Sequence, residues 1–280
     1  MKYALYLHVW LSLIAMLLTA ECILLFSNQA NQIYFIVFSG AATLFAYNTH
    51  TLMALYTKKN NTELTVWAQS NKRWIIAFAV LGFVLSIAVG TYAFSVYRWL
   101  LLGFAALLWM LYEVYIARVN SKSKNVGGMS SFIKSIILAL VWTVITSIIP
   151  LVYIDFDRLF EWDSIVFIGV RFCLFACITQ LFEYRDLYEI SLTKHIEIVE
   201  GLTGKPYRAT LFSKLFIAFI ILLLFFIETS NVFIVATLLQ LIVLIFFIRI
   251  RNIITITPSM MLWDGVLIVS PIISILYNQV

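Results

Sequence analysis

The run Glu183-Tyr184-Arg185-Asp186-Leu187-Tyr188-Glu189 has the residue types and spacing to hold a divalent cation. On a helix, carboxylates at i, i+3 and i+6 fall within about 120° of one another. Glu183, Asp186 and Glu189 can therefore converge on one ion. Mg²⁺ suits such a set, because it takes oxygen ligands and is commonly held by one or two carboxylates together with phosphates. Nearby Lys and Arg would neutralise the remaining phosphate charge. The plainer reading of the same residues is a solvated helix end of mixed charge.

A second polar cluster, Ala46-Tyr47-Asn48-Thr49-His50-Thr51, closes an apolar run. Four more ionisable residues fall inside apolar runs: Glu21, Glu113, Arg171 and Asp264. Arg171 lies too deep for its guanidinium to snorkel to an interface, so it needs a carboxylate or backbone carbonyls as partner. Its two readings are an anion contact lining a cavity and a structural pair buried between helices. Glu21 lies in the outer part of its run and is expected to face external headgroups.

The elements that must position these residues are membrane spans. The chain has 280 residues, 63% hydrophobic and only 12% charged, with a mean hydropathy of +0.99. Soluble domains run near 45–50% apolar and about 25% charged. Apolar blocks at 3–26, 33–56, 74–92, 98–117, 132–153, 164–182, 211–228, 231–250 and 260–277 are each long enough to cross a bilayer as a helix. The expected fold is all-α: a single domain over 1–280, a bundle of nine transmembrane helices. The first block is too long for a signal-peptide core and reads as a retained span.

Charge placement orients the bundle. Sixteen of the nineteen Lys and Arg residues flank one face, two (Arg98 and Arg158) flank the other, and Arg171 lies within a span. The positive-inside bias then puts the N-terminus in the cytoplasm and the C-terminus outside, as expected for a bacterial inner-membrane protein. The net charge of +5 is thereby spent on orientation and gives no sign of nucleic acid as a partner. The long loops, 57–73, 118–131 and 183–210, all fall on the basic face. In the last, Leu187, Ile190, Ile196, Val199 and Leu202 alternate with charge, as in a helical continuation or a short interfacial helix.

Other motifs carry no chemistry. Cys22, Cys173 and Cys177 lie in apolar runs and read as packing rather than as a metal site. Gly201-Leu202-Thr203-Gly204-Lys205 lacks the spacing and preceding strand of a phosphate loop. His195-Ile196-Glu197 has no second histidine at zinc-ligand spacing. No internal repeat is evident, so the inverted-repeat transporter architecture has no support.

The layout resembles the UbiA superfamily of intramembrane prenyltransferases over most of the chain. Asn48, in Ala46-Tyr47-Asn48-Thr49-His50, is similar in position to the Asn that opens that family's first aspartate-rich motif. Phe182-Glu183-Tyr184-Arg185-Asp186-Leu187 resembles the second motif, and Gly204-Lys205-Pro206 the turn before the seventh span. Lys134-Ser135 followed by Trp142 and Pro150 looks like the fifth span. The resemblance implies transfer of a polyprenyl group from its diphosphate to a lipid-soluble, aromatic acceptor. It further implies Mg²⁺ held by Asn48, Glu183, Asp186 and Glu189, with Asp186 and Glu183 catalytic. Arg185 would grip the diphosphate with Asn48, and charge and location add Lys124, Lys134 and Lys194. Leu52 and Tyr56 stand where the family's first motif carries aspartates. That departure motivates a second expectation, a non-catalytic relative binding an isoprenoid or anionic lipid. A third is a transporter with Arg171, Glu113 and Asp264 along its path.

Overall fold

The computed structural model of the chain describes residues 6–27, 33–57, 63–93, 96–122, 129–193, 214, 216–221, 231–250 and 265–277. Among them every regular element is helical. In chain order these are α1 (Val9–Phe26), α2 (Ile33–Thr57), α3 (Glu63–Ser70), α4 (Lys72–Ala93), α5 (Val96–Lys122) and α6 (Met129–Thr143). There follow a π-helical turn (Val144–Ile148), α7 (Ile149–Ile154), a 3₁₀ turn (Asp157–Phe160), α8 (Trp162–Thr193), α9 (Asn231–Ile250) and α10 (Val269–Tyr277).

Four stretches are long and apolar enough to cross a bilayer: Val9–Phe26, Lys72–Tyr92, Phe132–Ile154 and Trp162–Gln180. Leu102–Val114 and Phe233–Ile245 are shorter apolar segments. The chain is therefore an all-helical membrane protein with four such spans among the described residues, against the expectation of nine. Most of block 211–228 and part of block 260–277 lie outside the described residues. α2 is a 25-residue helix, but its polar cluster Asn48–Thr51 dilutes its apolar character.

α1 is the hub: it packs against α2, the π-helical turn, α7 and α10. Ile14, Leu18 and Cys22 of α1 join Trp142, Phe167, Phe175 and Leu244 in the main buried cluster. With lipid outside as apolar as the side chains inside, such a bundle is held by close packing and interhelical hydrogen bonds rather than by expulsion of water. An outer face of α4 carries Ile76, Val80, Val84 and Ile87, all exposed. That is the composition of a lipid-facing surface.

Small residues set the closest helix approaches. A Cβ built on Gly82 of α4 would lie 2.7 Å from the Phe45 backbone nitrogen and 2.8 Å from the Ala41 carbonyl oxygen of α2. Backbone cannot move aside as a flexible side chain does. Replacing Gly82 with leucine is therefore expected to destabilise the α2–α4 contact by about 1–3 kcal/mol. A detergent thermal melt should read this as a loss of several degrees, and an unchanged melting temperature would mean that the two backbones do not approach this closely.

The connection between α2 and α4 differs from the expected loop over 57–73, because α3 forms inside it. Ala68 is fully buried and packs with Leu7 and Ile75, and the rings of Tyr6 and Trp67 meet at a tilt with their centroids 5.0 Å apart. An eight-residue helix is too short to be stable alone, so this tertiary packing holds it. Beyond the sixth apolar block, the expected helical continuation is present: α8 runs unbroken to Thr193.

The π-helical turn lies just before Pro150. Proline has no N–H to donate back to residue 146, and a widened turn is one way a helix absorbs that missing bond. After α7, Arg158 of the 3₁₀ turn donates to the Phe26 carbonyl oxygen and ties that turn to the end of α1.

Candidate functional site: an aromatic pocket with a histidine–glutamate pair

α2, α5 and α6 enclose a cavity of about 80 Å³ that continues to the surface. Tyr47 and His50 come from α2, Trp109, Tyr112 and Glu113 from α5, and Leu138, Val141 and Trp142 from α6. Ile145 and Thr146 enter from the π-helical turn. The helical period explains these contributions: Tyr47 and His50, Trp109 and Glu113, and Leu138 and Trp142 are three or four residues apart and share a face. The pocket runs from the middle of the α6 span, at Trp142, toward the end of the bundle where Lys72 and Lys134 lie.

Its walls are mostly rings. Trp142 Nε1 donates to the Tyr47 hydroxyl at 2.8 Å, so both rings have a fixed orientation. Trp142 also packs on Phe175 of α8 at 5.5 Å between centroids. The chief polar feature is a pair: His50 Nδ1 lies 2.6 Å from Glu113 Oε1. Glu113 is buried, and the imidazole keeps about a third of its surface open. One turn from the pocket, His8 Nε2 meets Thr51 Oγ1 at 2.9 Å, and the His8 ring rests on Tyr47 at 5.4 Å. His8 holds a left-handed backbone conformation (φ 57°) as α1 begins. Such a conformation is uncommon for a residue with a Cβ, and here the contacts to Thr51 and Tyr47 support it.

The residues singled out from sequence are distributed unevenly around this pocket. Asn48 is fully buried, but its amide donates to the Leu7 and Leu44 carbonyl oxygens at 2.9 and 2.8 Å. It reaches toward the segment before α1 and does not line the pocket, and its Oδ1 has no partner among the described residues. Lys134 is also buried, one turn before the pocket's Leu138 on α6, and no carboxylate among the described residues pairs with it. Glu183, Arg185, Asp186 and Glu189 lie on α8, whose register puts positions 183, 186 and 189 on one stripe. Their side chains, like Lys124, Lys194 and Asp264, lie outside the described residues. Among the described residues no three His, Cys, Asp or Glu side chains group as a metal site. The three cysteines are free and buried, in keeping with a packing role.

A second polar centre lies deeper. The Arg171 guanidinium pairs with the Glu21 carboxylate. Glu21 also accepts from the Ser270 hydroxyl and, at 3.0 Å, from Ser274 of α10. Arg171 reaches the Leu18 carbonyl oxygen at 3.5 Å and lies 5.0 Å above the Phe167 ring centroid. Counted at 1.5 Å per residue from Trp162, Arg171 is about 14 Å along α8, near the middle of a 30 Å apolar layer. Glu21 does not face external headgroups, as its position suggested: it is completely enclosed. The reason is electrostatic, since each charge alone would be very costly at this depth and each supplies the other's partner.

Sequence reasoning saw both His50 and Glu113 but not their pairing, 63 positions apart. The available signal was a lone carboxylate inside an apolar run, which calls for a donor somewhere in the fold. The chain matches no family model, no curated protein and no solved structure.

Proposed function

We propose that the chain is a UbiA-like intramembrane prenyltransferase, with the aromatic pocket taking the apolar part of the substrates. The observation that carries this reading is the ring-lined cavity of Tyr47, Trp109, Tyr112 and Trp142 inside a membrane bundle. Aromatic faces stabilise a neighbouring cation, which an allylic group becomes as its diphosphate departs. Two features support a headgroup site beside it. Lys134 is buried one turn from the pocket's Leu138, and α8 carries positions 183, 186 and 189 on one stripe without a break.

In this reading Glu183, Asp186 and Glu189 hold Mg²⁺. The ion supplies electrostatic stabilisation to the departing diphosphate, and Arg185, Lys124, Lys134 and Lys194 grip its oxygens. The site opens toward the basic, cytoplasmic side of a bacterial plasma membrane.

A second reading, non-catalytic binding of an isoprenoid or anionic lipid, is favoured by Asn48. Its amide is engaged by two backbone carbonyl oxygens, and Leu52 and Tyr56 bring no carboxylate to that end of α2. A transport path through Arg171 has less support, because that guanidinium is enclosed with Glu21.

The test is Mg²⁺-dependent binding of labelled geranylgeranyl diphosphate to the detergent-purified chain. Saturable, metal-dependent binding, weakened about tenfold to a hundredfold by Asp186→Ala, is the expected result. Binding indifferent to both metal and Asp186 would leave the lipid-binding reading in its place.

A further inference from the structure

We propose that the outer face of α4 binds an anionic phospholipid, with Arg73 on its phosphate and Ile76, Val80, Val84 and Ile87 along one acyl chain. This goes beyond the prenyltransferase reading and does not rest on it. α4 is the least enclosed of the four spans, 22% buried against 50–67% for the others. Its inward side is fixed: Ile75 and Ala79 are buried, and Gly82 lies against the α2 backbone. At about 100° per residue, positions 73, 76, 80, 84 and 87 fall within about 80° of one another, turned away from that side. Arg73 is exposed, as are the four apolar residues.

Length and charge name the occupant. From Ile76 to Ile87 the helix rises about 16 Å, close to the depth of one leaflet, roughly 15 Å. An acyl chain laid on the stripe is therefore matched along its length. Arg73 stands one turn before Ile76, and helical side chains lean toward the N-terminus, so its guanidinium extends toward the headgroups. No carboxylate among the described residues pairs with it, and a guanidinium fits two phosphate oxygens at once. Trp74 beside it is 60% exposed, at the level where indoles sit between headgroups and chains. Among the described residues, Lys72–Tyr92 alone of the four spans opens on an exposed cation. The first opens on Val9, Lys134 is buried in the third, and the fourth opens on Trp162 and Asp163. A choline headgroup carries its own cation beside the phosphate, so a net anionic headgroup is the better complement to Arg73.

Photolabelling of the detergent-purified full chain tests this. Two probes share a diazirine midway along one acyl chain and differ only in headgroup: phosphatidylglycerol and phosphatidylcholine. At equal, subsaturating concentration the glycerol lipid is expected to label the peptide bearing Ile76–Ile87 about fivefold more than the choline lipid. Arg73→Gln, a change at an exposed position, should bring the two lipids to parity. Excess inorganic diphosphate should leave the labelling unchanged. Equal labelling by both lipids in the unaltered protein would overturn the proposal without any variant having to fold, as would label spread evenly over the four spans. Displacement by diphosphate would overturn it by giving Arg73 to a soluble anion. A preference that survives in Arg73→Gln would overturn it by placing the phosphate elsewhere. The readout needs neither Mg²⁺ nor Asp186, so failure here and failure of the diphosphate-binding test are separately visible.

Discussion

Replacing Arg171 with methionine is expected to destabilise the protein by about 3–5 kcal/mol, because it leaves the Glu21 carboxylate buried without its counter-charge. In a thermal melt this should appear as a fall of about 6–20 °C. Glu21 has no route to water: its side chain is fully enclosed. Only the hydroxyls of Ser270 and Ser274 remain to hold it, and two neutral donors do not balance a charge at that depth. The double replacement Glu21→Gln with Arg171→Met is expected to recover at least half of the loss. It removes both charges while the carboxamide oxygen still accepts from the two serines. Had the pair served only as a packing spacer, the double variant would be as unstable as the single one or worse, and that result would remove the electrostatic account. Loss of the pair should also loosen α10, which is tied to α1 through Glu21, and faster proteolysis after α9 would report it.

The second large effect is expected at Trp142. Truncation to alanine should destabilise by about 3–5 kcal/mol, the range for deleting a buried aromatic side chain. The indole packs between Tyr47 and Phe175 and carries the hydrogen bond that fixes the Tyr47 ring. Lipid cannot fill the resulting void, since Trp142 faces helices α2 and α8 rather than the bilayer. Trp142→Phe keeps most of the packing and loses the donor, so about 1 kcal/mol is expected. Chemical or thermal unfolding in one detergent, with all three proteins side by side, distinguishes the two contributions. An alanine variant that melts like the unaltered chain would mean that Trp142 is not a wall of a formed pocket.

Much of the architecture is legible along the chain because the bilayer imposes a one-dimensional rule. A spanning segment must satisfy its own backbone and show an apolar surface over about 20 residues. Runs such as 74–92, 132–153 and 164–182 obey it within a few positions of the spans Lys72–Tyr92, Phe132–Ile154 and Trp162–Gln180. The rule is silent about α3, where the sequence is polar enough to read as a loop and packing of Trp67 and Ala68 makes the helix. It also misjudges single ionisable residues. Glu21 lies where a carboxylate can reach headgroups, and nothing local reveals that Arg171, 150 positions away, claims it instead.

The candidate site divides in the same way. The local spacing of Glu183, Asp186 and Glu189 can be read from sequence, because a helix fixes the geometry of i, i+3 and i+6 without any neighbour. The pocket could not be read, because its walls come from three helices and each supplies only three or four residues. Asn48 shows the limit most directly. Its neighbours in sequence suggest a ligand-facing amide, while the tertiary structure gives that amide to the Leu7 and Leu44 carbonyl oxygens.

What the sequence by itself determined is that this is a helical membrane protein, and where four of its nine apolar stretches can cross. Those properties depend on composition summed over consecutive residues. Only the tertiary structure decided that His50 meets Glu113, that Arg171 meets Glu21, and that Tyr47 and Trp142 form one wall. Hydrogen bonds and ion pairs act over about 3–4 Å, and that distance is set by which helix faces pack together, not by separation along the chain.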